Sequence, residues 1–298
     1  MPMAISIEPT TACNLGCPEC PSGLKQFSRP TGNLRTEVNK QIIDELHKKL
    51  IYANYYFQGE PFINRSIYDQ ISYANSKGIY TSTSTNGHFL TEENCKKIID
   101  SGLKRLIISI DGTTQDVYEQ YRIDGELSKV IQGAKNMVAA KKSSNSIFPT
   151  VVFQFLVVAP NEHQIDEVQQ LGDQIGVDEI AYKTAQVYDF KNGNPLIPQN
   201  EKYARYVRKS DGTYKLKNKM FNHCWRMWSS CVITWDAKIV PCCFDKDASH
   251  PMGDIKSQQF SELWYGEKYL QFRGNLTKAR SEIDICTNCT EGTQVFSN

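Results

Sequence analysis

"AISIEPTTACNLGCPEC", residues 4–20, joins a strand-like run over 4–9 to three cysteines, Cys13, Cys17 and Cys20. The thiols therefore stand on a loop at the end of a first strand. Five more strand-like runs follow: "YANYYFQG" (52–59), "IYTSTSTN" (79–86), "RLIISID" (105–111), "TVVFQFLVV" (150–158) and "EIAYKTA" (179–185). Helix-like segments separate them, among them "TEVNKQIIDELHKKL" (36–50), "SIYDQISYANSKG" (66–78), "TEENCKKIIDSG" (91–102) and "NEHQIDEVQQLGDQIG" (161–176). In the first of these Val38, Ile42, Ile43, Leu46 and Leu50 recur at helical spacing. Gly78 and Gly102 stand where a left-handed residue closes the second and third. Strand and helix alternating six times predict parallel strands covered by helices, in an open sheet or in a complete or partial barrel. In either, chemistry gathers at the carboxyl ends of the strands. The polar motifs lie there: "TTACNLGC", "QGEP", "TNG" and "DG" follow the first four runs.

Composition narrows the class. The chain has 298 residues, 40% hydrophobic and 22% charged, with a net charge of +1. That balance gives no electrostatic footprint for nucleic acid or an anionic membrane. No apolar run is long enough to span a bilayer and no signal pattern opens the chain, so a cytoplasmic protein is expected. Ten cysteines are unevenly placed: three at 13–20, Cys95 alone, and six from Cys224 to Cys289. Without a secretory signal, the clusters point to metal or iron–sulfur ligation and not to disulfides. Cys95, in a helical segment, reads as a small buried hydrophobe.

Three thiolates can hold three irons of a four-iron cluster and leave the fourth iron open to a reacting molecule. Zinc with a distant fourth ligand is the competing reading of the three cysteines taken alone. The Cys-x3-Cys-x2-Cys loop after the first strand, with "QGEP" after the second, resembles the radical S-adenosylmethionine enzymes. The resemblance covers roughly residues 4–185 and implies a partial (β/α)6 TIM-like barrel. It also implies a [4Fe-4S] cluster on Cys13, Cys17 and Cys20. The open iron of that cluster binds S-adenosylmethionine, whose reductive cleavage gives a 5′-deoxyadenosyl radical that takes hydrogen from substrate. By the same resemblance Gly59 and Glu60 meet the methionine ammonium, Ser84, Ser109 and Asp111 contact the methionine and ribose, and Arg122 pairs with the carboxylate. Two positions depart from the family pattern: Gln58 stands where a glycine is usual, and Glu19 stands where an aromatic residue near adenine is usual.

After residue 186 the alternation breaks. Residues 187–220 are polar and rich in Gly and Pro, and read as a linker or irregular crossover between a 1–186 barrel and a 221–298 unit. "HCWRMWSSCVITWDAKIVPCCFDKD" (223–247) contains two apolar runs about "TWDAK", a short hairpin. With "DICTNC" (284–289) it suits either a zinc site or a four-thiolate cluster. The Cys-x17-Cys and distal Cys-x2-Cys spacing resembles the SPASM/twitch extension of radical enzymes, which implies an auxiliary [4Fe-4S] cluster on Cys224, Cys242, Cys286 and Cys289. Cys243 is an alternative to Cys242, and Cys231 reads as packed. Trp225, Trp228, Trp235 and Trp264 read as the core of this unit.

A second cluster suggests an acceptor for the electron left after hydrogen abstraction. The expected activity is oxidation of an aminosugar, cyclitol or other carbohydrate, with a flavodoxin or ferredoxin as electron donor. A maturase acting on a ribosomally made peptide is the alternative, disfavoured because the chain starts directly at its first strand; a non-enzymatic zinc scaffold is the alternative of another class. Tyr55, Tyr56, Gln154, Lys183, Tyr188 and Asp189 lie near strand ends and are candidate pocket residues. No general base is identifiable.

Overall fold

The structure is a computed structural model that describes residues 1–291. The strand–helix repeats run β1 (Ala4–Ile7), α1 (Thr36–Leu46), β2 (Tyr52–Asn54), α2 (Ile67–Ser76), β3 (Tyr80–Thr85), α3 (Glu92–Asp100), β4 (Arg105–Ser109), α4 (Leu127–Ser143), β5 (Thr150–Val157), α5 (Ile165–Ile175) and β6 (Glu179–Thr184). The fold is α/β, a partial (β/α)6 barrel of parallel strands. α1 buries Val38, Ile42, Ile43 and Leu46, the stripe its periodicity predicts. The glycines that close α2 and α3 have φ of +79° and +72°, the left-handed conformation that only glycine takes without strain. Among the described residues, no helix is long and apolar enough to cross a membrane.

The chain forms two compact units that do not follow chain order. One unit comprises residues 13–26 and 82–217. Here β4 pairs in parallel with the end of β3 (Ser84 opposite Ile107), β5 with β4 (Ser109 opposite Gln154), and β6 with β5. Its core includes Ile108, Phe153, Phe155, Val130 and Met137, all fully buried. Residues beyond 186 fold into this unit as more than a linker. A hairpin of β7 (Tyr206–Arg208) and β8 (Tyr214–Leu216) forms there. Phe190 stacks on Tyr206 with ring centroids 4.4 Å apart, and Val187, Leu196 and Tyr206 join Leu15 and Cys17 in one apolar cluster.

The other unit comprises residues 1–12, 27–81 and those described from 218 onward. In it β1 pairs in parallel with β2 on one side and with β9 (Ser230–Ile233) on the other. The hairpin expected about "TWDAK" is present: β10 (Lys238–Val240) runs antiparallel to β9, and β11 (Gly253–Asp254) antiparallel to β10. The C-terminal hairpin thus extends the sheet at the first strand. One expectation is corrected. Trp264 is buried, but Trp225 and Trp228 are 43% and 44% exposed, because the short helix Arg226–Ser229 turns Met227 and Ser229 inward instead.

Candidate functional site

The cysteine loop belongs to the unit of residues 13–26 and 82–217. Cys17 is buried and Cys13 and Cys20 half-buried, all three packed against the apolar cluster of Leu15, Tyr121, Val158 and Val187. The loop closes tightly on itself: a Cβ on Gly23 would stand 2.6 Å from the Cys17 backbone nitrogen. The Gly16 N–H donates to the Ile123 carbonyl at 2.9 Å. Side-chain donors approach two of the sulfurs, Arg122 Nη1 at 3.9 Å from Cys17 Sγ and Asn86 Nδ2 at 4.0 Å from Cys13 Sγ.

Each donor is itself held. Arg122 Nε donates to Asp111 Oδ2 at 2.5 Å, and the other carboxylate oxygen of the fully buried Asp111 accepts from the Leu156 N–H at 2.7 Å. The resemblance made Asp111 and Arg122 separate contacts to the cofactor; here they pair with each other. Burial is the larger influence on the Asp111 carboxyl and raises it, while Arg122 and the Leu156 N–H oppose that. Burial likewise raises the Cys17 thiol against the pull of Arg122. Asn86 Nδ2 also donates to Asn14 Oδ1 at 2.7 Å, and Asn86 Oδ1 accepts from the His88 N–H at 3.1 Å. His88 Nε2 accepts from the Glu126 N–H at 2.8 Å, which leaves the ring proton on Nδ1, 3.1 Å from the Asn86 carbonyl. Burial lowers the His88 imidazole, in keeping with this neutral form.

Ser84 is half-buried near the end of β3, and Ser109 is buried at the end of β4. Lys183 and Tyr188 are exposed, and the Tyr188 N–H donates to Glu19 Oε2 at 2.9 Å. Glu19, in the place usual for an aromatic residue, thus tethers the segment after β6 to the cysteine loop.

Gly59 and Glu60 belong to the other unit. Gly59 has φ of +75°, and a Cβ there would meet the Thr10 carbonyl oxygen at 2.4 Å and that of Ala12 at 2.7 Å. The Glu60 N–H donates to the Ala12 carbonyl at 2.7 Å, and its buried carboxylate accepts from the Phe62 N–H at 3.2 Å. The "QGEP" turn thereby grips the residue before Cys13. Gly59→Ala is expected to cost at least about 2 kcal/mol of unfolding free energy, from the left-handed backbone and the carbonyl clash together. Urea unfolding of the anaerobic apoprotein measures it. Tyr55 is not a pocket residue: it is fully buried, its hydroxyl donating to Asn39 Oδ1 at 2.9 Å.

The C-terminal cysteines lie in the same unit as Gly59. Burial, then the charges of Cys243, Cys289 and Cys286, pushes the Cys242 thiol well above its usual range. Burial with the charge of Cys289 takes Cys286 to about 11, and the Cys289 thiol feels Cys224. Cys224, Cys242, Cys286 and Cys289 thus share one neighbourhood. Cys243 adjoins the same group, its charge acting on Cys242, and also meets Arg226, whose Nη1 lies 3.7 Å from its sulfur, so it stays the alternative to Cys242. Cys231 is buried on β9, pushed up to about 12 by burial with Tyr269 its hydrogen-bond partner, and Cys95 is fully buried, also at about 12. Neither interacts with the clustered thiols.

The donor sets fit iron–sulfur clusters. Cysteine ligates iron as the thiolate, so loading a cluster on these residues releases their thiol protons. Among the described residues, no three Cys, His, Asp or Glu side chains converge on a single ion. A cluster places its ligands on different irons and does not require such convergence. Arg280 Nε, buried beside Cys289, has no hydrogen-bond partner among the described residues. Sequence reasoning passed over Asn86, His88, Arg226 and Arg280; only Asn86 carried a signal, as part of "TNG".

Residues 7–172 match the family described as the Radical SAM superfamily, and residues 224–290 match the SPASM iron-sulfur cluster-binding domain. Mycofactocin maturase MftC of Mycobacterium tuberculosis is 29% identical over 175 residues, 59% of this chain and 43% of that protein. The match thus takes in less than half of the maturase. AdoMet-dependent heme synthase of Methanosarcina barkeri is 24% identical over 317 aligned positions, 96% of this chain and 88% of that protein. Among solved structures, BtrN in complex with AdoMet and 2-DOIA has a TM-score of 0.62 at 18% identity, over 98% of this chain and 94% of that one. That likeness is one of fold.

Proposed function

The chain belongs to the radical SAM superfamily and bears a SPASM domain, and on that footing we propose that it oxidises a small molecule such as an aminosugar, cyclitol or other carbohydrate. Its cofactors are those of the two families: a [4Fe-4S] cluster, S-adenosylmethionine and an auxiliary iron–sulfur cluster. When bound, the first cluster and S-adenosylmethionine supply the power to take hydrogen from an unreactive carbon.

The protein's part is to hold these groups. Cys13, Cys17 and Cys20 would ligate the first cluster, with Arg122 and Asn86 aimed at two of the sulfurs. Gly59 and Glu60 fix the backbone before Cys13, and the family resemblance gives them, as it gives Ser84 and Ser109, a part in holding S-adenosylmethionine. Cys224, Cys242, Cys286 and Cys289 would ligate the second cluster, which would supply an electron acceptor for a net two-electron oxidation. A flavodoxin or ferredoxin would supply the first electron.

The observation that carries the oxidation reading is the second thiol set gathered about a buried arginine. The choice of small molecule draws support from the relative matched over most of both lengths, a heme synthase. The rival, a peptide-modifying maturase, draws on the shorter but more identical match to MftC.

Anaerobic reconstitution with dithionite and S-adenosylmethionine tests both. About eight irons and eight sulfides per chain are expected, with 5′-deoxyadenosine formed in step with oxidation of an aminocyclitol or sugar. Turnover on a precursor peptide alone would move the assignment to the rival. Cys286→Ala is expected to retain S-adenosylmethionine cleavage and lose substrate oxidation; full oxidation by that variant would remove the acceptor role.

A further inference from the structure

We infer that Arg280 is a positioning residue of the second cysteine site, a fixed buried cation that makes the cluster held there easier to reduce. The inference rests on the reading that Cys224, Cys242, Cys286 and Cys289 hold that cluster.

Arg280 is 1% exposed. A guanidinium stays charged at any pH a protein survives, and burying it without a counter-charge is costly. Its side-chain hydrogen bonds go to the His223 carbonyl at 2.6 Å, the Glu291 carbonyl at 2.8 Å and Cys289 Sγ at 3.3 Å. None of these partners is a carboxylate. The sulfurs of Cys289, Cys224 and Cys286 face it, neutral as thiols and negative once they ligate a cluster. Its Nε is a further donor, buried and without a partner among the described residues. Among the described residues the cation therefore lacks a counter-charge and would gain one from a cluster on those sulfurs.

The arginine also ties the site together. It binds the carbonyl preceding Cys224, the sulfur of Cys289 and the carbonyl of Glu291, while its own N–H donates to Asn222 Oδ1 at 3.1 Å. Arg226 is the control inside the same structure. It lies by Cys243 but is 44% exposed and paired with Glu291 at 2.8 Å, so its charge is largely neutralised and screened.

Reduction adds one negative charge to a cluster. A buried cation and N–H donors to its sulfurs favour the reduced state and raise the potential. That is what an electron acceptor needs.

The test is a redox titration, followed by electron paramagnetic resonance, of the full chain with Cys13, Cys17 and Cys20 replaced by alanine, so that only the second cluster contributes. Arg280→Lys is expected to lower the midpoint and Arg280→Gln to lower it further, the latter by tenfold or more in the reduced-to-oxidised ratio, about 59 mV for one electron. Iron content should match the parent, and Arg226→Gln should shift the midpoint far less. An unchanged midpoint in a fully loaded Arg280→Lys overturns the inference, and so does failure of both Arg280 variants to load. Where only Arg280→Gln fails to load, the lysine variant decides alone. Failure of the ligand reading looks different: the parent then holds no iron, or Cys286→Ala keeps all of it.

Discussion

Cys17→Ala is expected to abolish S-adenosylmethionine cleavage and to remove about four of the roughly eight irons the chain binds. The expectation follows from the burial of Cys17. It sits 5% exposed within an apolar cluster, on a loop whose backbone admits no side chain at Gly23. The side chain that donates toward the sulfur is the Arg122 guanidinium, a cation that cannot take over as an iron ligand. Alanine fits the space, so the fold should persist, and far-ultraviolet circular dichroism checks that it does. Iron and sulfide analysis with a 5′-deoxyadenosine assay reads the loss. Cys95→Ala is the control, since Cys95 is equally buried but lies in α3 without a second thiol beside it; its iron content should equal that of the wild type. If Cys17→Ala kept full iron and cleaved S-adenosylmethionine, three-thiolate ligation at the N-terminal loop would be wrong.

What could be read along the chain was local. β4 and β5 are near-continuous apolar runs, as parallel strands covered by helices are, and so announce themselves. The thiols of the first loop are close in sequence and need no fold to bring them together. The Arg122–Asp111 pair is different: it spans eleven residues and a strand end, and no local pattern joins the two side chains. Arg280 is harder still, since its partner His223 is 57 residues away and no motif surrounds it. The addition of β9 to β1 joins positions more than two hundred residues apart, a pairing that hydrophobic pattern cannot specify. The exposure of Trp225 and Trp228 was misread for a related reason. Indole size suggests core, but the phase of a single helical turn decides which side chains face inward.

Arg122→Ala is expected to lower the unfolding free energy by about 3–5 kcal/mol, the cost of leaving a buried carboxylate without its partner. Asp111 is wholly buried and its remaining contact is one backbone N–H, from Leu156. If that is the source of the loss, Arg122→Ala/Asp111→Asn should recover much of it, because asparagine keeps an acceptor for the Leu156 N–H without the charge. A double-mutant cycle in urea, on anaerobic apoprotein, isolates the coupling. Arg122→Lys separates charge from geometry. A single ammonium can neutralise Asp111, but it lacks the planar fork that reaches both the carboxylate and Cys17 Sγ. Stability should then largely return while S-adenosylmethionine cleavage stays impaired. The opposite pattern, an Arg122→Ala protein as stable as the wild type and defective only in S-adenosylmethionine binding, would mean that Arg122 leaves Asp111 to meet the cofactor. The guanidinium would then be a ligand contact, as the family resemblance implies, and not the brace between β4 and the cysteine loop that the hydrogen bonds describe.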